Sequence, residues 1–155
     1  MELPESKLIK SEIVLRDMDL SDDVKMTRKA LVRWLALSLG LISKKESRRS
    51  VLLILEALLY YHLKDKKEPN YQDLTDYFSK EGQTLNEKTI RYHLTQLRKA
   101  GVIEEDRGVY RFSGFQFDNL PSAMEQTYQK RAYMAFFNIK QAMQLLQNMY
   151  DEGKQ

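Results

Sequence analysis

The stretch Asn86-Glu87-Lys88-Thr89-Ile90-Arg91-Tyr92-His93-Leu94-Thr95-Gln96-Leu97-Arg98-Lys99-Ala100-Gly101-Val102-Ile103 decides the reading of this chain. Asn86 is of the type that caps a helix start, because its side-chain oxygen can accept from the first unpaired backbone N–H groups. Leu85 before the cap and Ile90 in the first turn stand at the spacing of a hydrophobic staple. Ala100-Gly101 closes the helix, with glycine where a left-handed cap is expected. At 100° per residue, Ile90, Leu94 and Leu97 fall in one narrow sector, with Gly101 beside them. That sector must pack on other elements. Lys88, Tyr92, Thr95 and Lys99 fall opposite it, flanked by Thr89, Arg91 and Gln96. The outward face therefore mixes bases, hydroxyls, an amide and an aromatic, and its one acid is Glu87 near the start. Side chains of these types can reach phosphates and base edges in a major groove.

Working outward, Asn70 to Lys80 reads as a short helix. Asn70 is its cap, Asp73 stands three residues later, and Leu74, Tyr77 and Phe78 make the buried side. Glu81-Gly82-Gln83-Thr84 is a turn. Ser47 to Lys64 carries Val51, Leu52, Leu55, Leu58, Leu59 and Leu63 around most of its circumference, which marks a core helix. A further helix is expected over 22–42, started by Asp22 and Asp23 and apolar at Val24, Leu31, Trp34, Leu35 and Ile42. Downstream, Val102-Ile103-Glu104-Glu105-Asp106 and Val109-Tyr110-Arg111-Phe112 flank Arg107-Gly108 and read as a hairpin. A loop with Pro121 follows. The last helix, from about Ser122 to Asp151, places Tyr128, Ala132, Ala135, Ile139, Ala142, Leu146 and Met149 at alternating steps of four and three. That is a heptad seam, widened by Phe136, Met143 and Tyr150, and it is expected to pair with a second copy of the chain.

The order helix, helix, turn, helix, hairpin is that of a winged helix-turn-helix. The run Thr89-Ile90-Arg91-Tyr92-His93-Leu94, followed by Leu97-Arg98-Lys99-Ala100-Gly101-Val102-Ile103, resembles winged-helix transcriptional regulators of bacteria and archaea. The resemblance covers about residues 48–112 and assigns no subfamily. It implies a mainly α fold with a small β-hairpin, to which this chain adds N-terminal and C-terminal helical extensions. It also implies binding of double-stranded DNA. The expected division is an acidic segment 1–21, a helix and basic linker 22–46, the winged module 47–115, and a dimerisation helix 121–152.

Charge is unevenly spread. Residues 1–24 hold three bases against seven acids, whereas 25–50 hold eight bases against Glu46. Segregation of this kind points one region toward a polyanion. Lys44, Lys45, Arg48 and Arg49 are therefore candidates for phosphate contact. Arg107, at the hairpin tip, is a candidate for contact with phosphate or the minor groove, although Glu104, Glu105 and Asp106 before it oppose that role.

Other chemistry has little to stand on. The chain has no cysteine, which excludes disulfides, thiolate catalysis and cysteine-ligated metals. His62 and His93 lack carboxylate partners at ligand spacing, so no metal is expected. There is no glycine-rich phosphate loop and no nucleophile elbow. The chain is read as a binding protein without cofactor rather than an enzyme. No stretch reaches the ~20 apolar residues of a membrane span, and the N-terminus is no secretory signal, so the expected location is the cytoplasm. The competing reading is a winged-helix module that binds protein instead of DNA. Any small-molecule effector is left open.

Overall fold

The computed structural model describes residues 1–43 and 49–153. It is mainly helical with one small antiparallel sheet. The helices are α1 (Arg28–Ser38), α2 (Ser50–Leu59), α3 (Tyr71–Lys80), α4 (Glu87–Lys99) and α5 (Leu120–Asp151), and the strands are β1 (Ile103–Asp106) and β2 (Val109–Phe112).

The caps explain most boundaries. Asn70 accepts from the Asp73 N–H while the Asp73 carboxylate accepts from the Asn70 N–H, a complete capping box. Asn86 accepts from the Thr89 N–H at 2.8 Å. Gly101 follows α4 at φ +78°, and its added Cβ would meet the Arg131 side chain at 3.1 Å. Only glycine holds that conformation without strain. β1 and β2 pair in the register Ile103 with Phe112 and Asp106 with Val109. Arg107 and Gly108 join them with positive φ at both residues, as a tight hairpin demands.

Two expected helices differ. The helix expected over 22–42 is shorter and differently faced. Val24–Met26 forms a separate 3-10 turn, and α1 starts afresh after Thr27, whose hydroxyl accepts from the Ala30 N–H. The acids at 22 and 23 thus cap nothing in α1. Its buried face is Val32, Ala36 and Ser38, whereas Leu35 is exposed. The core helix expected to reach Lys64 changes at Tyr60 into a π-helical stretch, Tyr60–Asp65, which ends at Lys66 in the left-handed region. Pro121 lies inside the first turn of α5 and not in the loop before it, since Asn119 is the cap.

One apolar core joins these elements. α2 is its axis, through Ile54, Leu55, Ala57 and Leu58. α3 adds Leu74 and Phe78, α4 adds Ile90, Leu94 and Leu97, and the hairpin adds Ile103, Tyr110 and Phe112. Phe115 and Ala123 bring in the start of α5. Pro69 and Asn70, just before α3, touch the hairpin as well: the Tyr110 N–H donates to the Pro69 carbonyl, and Asn70 bridges Val109. Residues 10–20 run over the outside. Arg16 donates to the carbonyls of Leu37 and Ile42, and the Trp34 indole N–H donates to the Asp19 carbonyl. In α5, residues 133–151 are all exposed.

Candidate nucleic-acid interface

The core sector of α4 is closed: Ile90, Leu94 and Leu97 are buried. With that side anchored, geometry forces the opposite side outward. Lys88, Tyr92, Thr95, Gln96 and Lys99 are all exposed, and Thr89 is half-buried. Tyr92 is 49% exposed, so a large aromatic stands in water among polar neighbours.

Each flank of this face has its own neighbour. On one side Arg91 donates through Nε to Glu87 at 3.0 Å, and its guanidinium lies 4.4 Å from the centre of the Tyr71 ring. The acid of the helix start is thus spent on its own arginine, and the guanidinium is stacked and oriented. Arg98 lies on this flank too, two turns further, and is exposed. Burial and then Glu105 push the Tyr110 hydroxyl above its ordinary pKa, and Arg91 and Arg98 work against them. Both bases thus lie near enough to Tyr110 on the hairpin to act on it. On the other side a cleft of about 240 Å³ separates α4 from the turn after α1. Gly40, Leu41 and Val51 form one wall, and Tyr92, His93 and Gln96 are on the other.

Arg107 is at the hairpin tip with its side chain almost wholly exposed, 3.9 Å from Asp106. The acids before it are not equivalent. Glu104 accepts from Arg111 Nη2 at 3.2 Å and from the Gly114 N–H at 3.0 Å. Arg111 also donates to Glu68 at 3.0 Å. Glu104 is thus tied into the base of the hairpin; Glu105 and Asp106 are exposed, the one beside Tyr110 and the other beside Arg107.

Of the four linker bases, Lys44, Lys45 and Arg48 lie outside the described residues. Arg49 joins Lys29 and Arg33 around a cavity of about 390 Å³ on α1 and α2, floored by Leu52 and Leu53. No α4 residue lines that cavity. These bases form a separate group and not an extension of the α4 face. Glu56 is among them, and burial raises its pKa while Lys29 opposes the rise.

On α5, Tyr128 is not available to a second copy. It is buried at 7% exposure within its own chain, with the Arg131 guanidinium 5.4 Å from its ring centre. The exposed seam starts near Ala132 and continues through Ala135, Ile139, Ala142, Leu146 and Met149.

Two residues were missed in the sequence reading. Arg98 had a signal, since seven residues from Arg91 is the same flank of a helix. Arg131 had none. It donates to the Ala100 carbonyl at the end of α4 and to the Glu12 carbonyl, partners remote in the chain.

Comparison with family models, with curated proteins and with solved structures finds no match to this chain.

Proposed function

We propose that this chain is a winged helix-turn-helix transcription regulator that binds double-stranded DNA in a sequence-specific way as a homodimer, and that it is not an enzyme. The observation that carries the reading is the outward face of α4. Lys88, Tyr92, Thr95, Gln96 and Lys99 are exposed there, and the one acid, Glu87, is engaged by Arg91. In this reading α3 and α4 are the helix-turn-helix, and β1–β2 is the wing. The turn at 81–86 lets α4 project, so that it can lie in a major groove. The proposed location is the cytoplasm; among the described residues no helix is long and apolar enough to cross a membrane.

Roles follow from side-chain chemistry. Gln96 suits adenine, and Arg91 suits guanine through its two-pronged donor group. Arg91 must first leave Glu87. An exposed ion pair of that kind contributes little, less than a good bidentate base contact, so the exchange favours DNA. Tyr92 adds apolar contact with a base edge. Lys88 and Lys99 bind phosphate as point charges. Thr89 and Thr95 add hydroxyl contacts, and Arg107 and Arg49 add phosphate contacts at the edges.

The test is a binding titration against a DNA site selected from random duplexes. Affinity should fall steeply with salt through release of counterions. The Arg91→Ala, Gln96→Ala double variant should lose sequence preference by about tenfold or more, on the energy of the lost base contacts. The Lys88→Ala, Lys99→Ala double variant should bind all sequences more weakly, with a flatter salt slope. A first pair of substitutions that leaves selectivity intact would overturn the assignment of α4. The second reading, a winged-helix module for protein binding, is favoured by the exposed Glu105 and Asp106 at the hairpin. It predicts no salt-dependent duplex binding.

A further inference from the structure

The sequence of the exposed part of α5 carries information about direction as well as pairing. Residues 133–151 are all exposed, and Phe136, Ile139, Met143, Leu146, Met149 and Tyr150 lie in the open at 40–76% exposure. The alternating steps put Ala132, Ile139 and Leu146 on one edge of the seam, and Ala135, Ala142 and Met149 on the other. In a parallel pair each residue faces its own copy. Ala would then meet Ala in three layers, between layers in which Ile meets Ile and Leu meets Leu. One rigid pair of helices has one separation, set by its contact side chains. The large layers would hold the helices apart, and the alanine layers would be voids, which packed interfaces do not tolerate.

Antiparallel pairing removes the conflict. There the first edge faces the second. Ile139 then lies opposite Ala142 of the second copy, Leu146 opposite Ala135, and Met149 opposite Ala132. Every layer holds one large and one small side chain, so one separation fits all of them. The flank follows suit, with Phe136 beside Met143 of the other copy. The length also fits. The overlap from Ala132 to Met149 is about 27 Å at 1.5 Å per residue, and it starts where α5 leaves its own core.

We propose that the partner on α5 is a second copy of this chain in antiparallel register, with Ile139 against Ala142 and Leu146 against Ala135, so that the two DNA-binding modules sit at opposite ends of the helix pair. This rests on the homodimer reading above and adds its geometry.

The chain has no cysteine, so introduced cysteines report register without background. A disulfide needs Cα atoms within about 7 Å. Two single variants are made, Ala135→Cys with a size tag and Leu146→Cys without one. Each is oxidised alone and as an equilibrated mixture, then run on a non-reducing gel. Both positions lie outside the core, and far-ultraviolet circular dichroism verifies that both variants fold. The expected result is a mixed disulfide in the mixture and none in either variant alone, since like positions would be about 16 Å apart along the axis. Ala132→Cys with Met149→Cys should behave the same way. Self-linked products from each variant alone would overturn the proposal in favour of parallel pairing. No link in any mixture would overturn pairing through α5 altogether. The gel contains no DNA, so its failure is separable from failure of the DNA reading, which the salt titration measures on the same samples.

Discussion

The His62 ring is fully enclosed, with Phe112, Phe115 and Phe117 at 4.9–5.9 Å. Its Nδ1 lies 2.7 Å from the Leu58 carbonyl, to which it donates; among the described residues Nε2 has no partner at hydrogen-bond distance and angle, though the Tyr110 backbone also acts to favour the charged ring. Burial lowers its pKa, with the Leu58 carbonyl opposing. Because the folded pKa lies below the unfolded one, the unfolded chain binds the proton more tightly. The stability this neutral ring contributes is complete above about pH 6.5, the unfolded value, and is lost as pH falls toward the folded pKa. Thermal melts from pH 8 to 5 should show a decline beginning near pH 6.5, and His62→Phe should flatten it relative to the parent. An identical pH dependence in both would rule His62 out as the source. The sequence reading gave His62 no place in the core, and Gly40 carried no signal either. An added Cβ would collide with the Val14 side chain, a constraint set by a segment 26 residues away.

At the scale of the element, legibility followed the caps. α3 and α4 start where Asn70 and Asn86 put them, because a cap is a local device that competes only with its neighbours. Asn86→Ala removes the acceptor for the Thr89 N–H and should cost about 1 kcal/mol in chemical denaturation. No loss would mean that α4 owes its start to packing alone. α1 was misread for the same physical reason in reverse. Asp22 and Asp23 are good first-turn residues, but Thr27 is also a cap, and the β-region backbone at Thr27 (ψ 150°) breaks the helix there. Two local signals of similar strength were present, and the packing of Val32 and Ala36 against α2 chose between them. The π-helical stretch at Tyr60–Asp65 is likewise invisible to a 3.6-residue period. It turns His62 and Tyr61 into the core while leaving Leu63 exposed, against the expectation that Leu63 is buried.

For the whole molecule, the bare α5 sets the expected behaviour. Ile139→Asp with Leu146→Asp places charges in the pairing seam, where burial of an unpaired carboxylate is costly. Sedimentation should show the variant as a monomer and the parent as a dimer at micromolar concentration. The melting of the core should shift only by the loss of dimer, because neither side chain touches that core. A parent that sediments as a monomer would remove the basis of the pairing. What the chain order could settle was local: which runs form helices, where caps and turns stop them, which face of α4 is apolar, and the step pattern of α5. These depend on residues within a few positions of one another, so periodicity exposes them. Which partner each face meets is not local. Tyr128 obeys the heptad as well as Ile139 does, yet it is buried in its own chain. Arg91 is stacked on Tyr71, and Arg131 joins Ala100 to Glu12. Arg49, the one linker base among the described residues, belongs with Lys29 and Arg33. Those outcomes depend on contacts between residues far apart in the chain, which compete for the same core surface, and only the folded arrangement decides which contact wins.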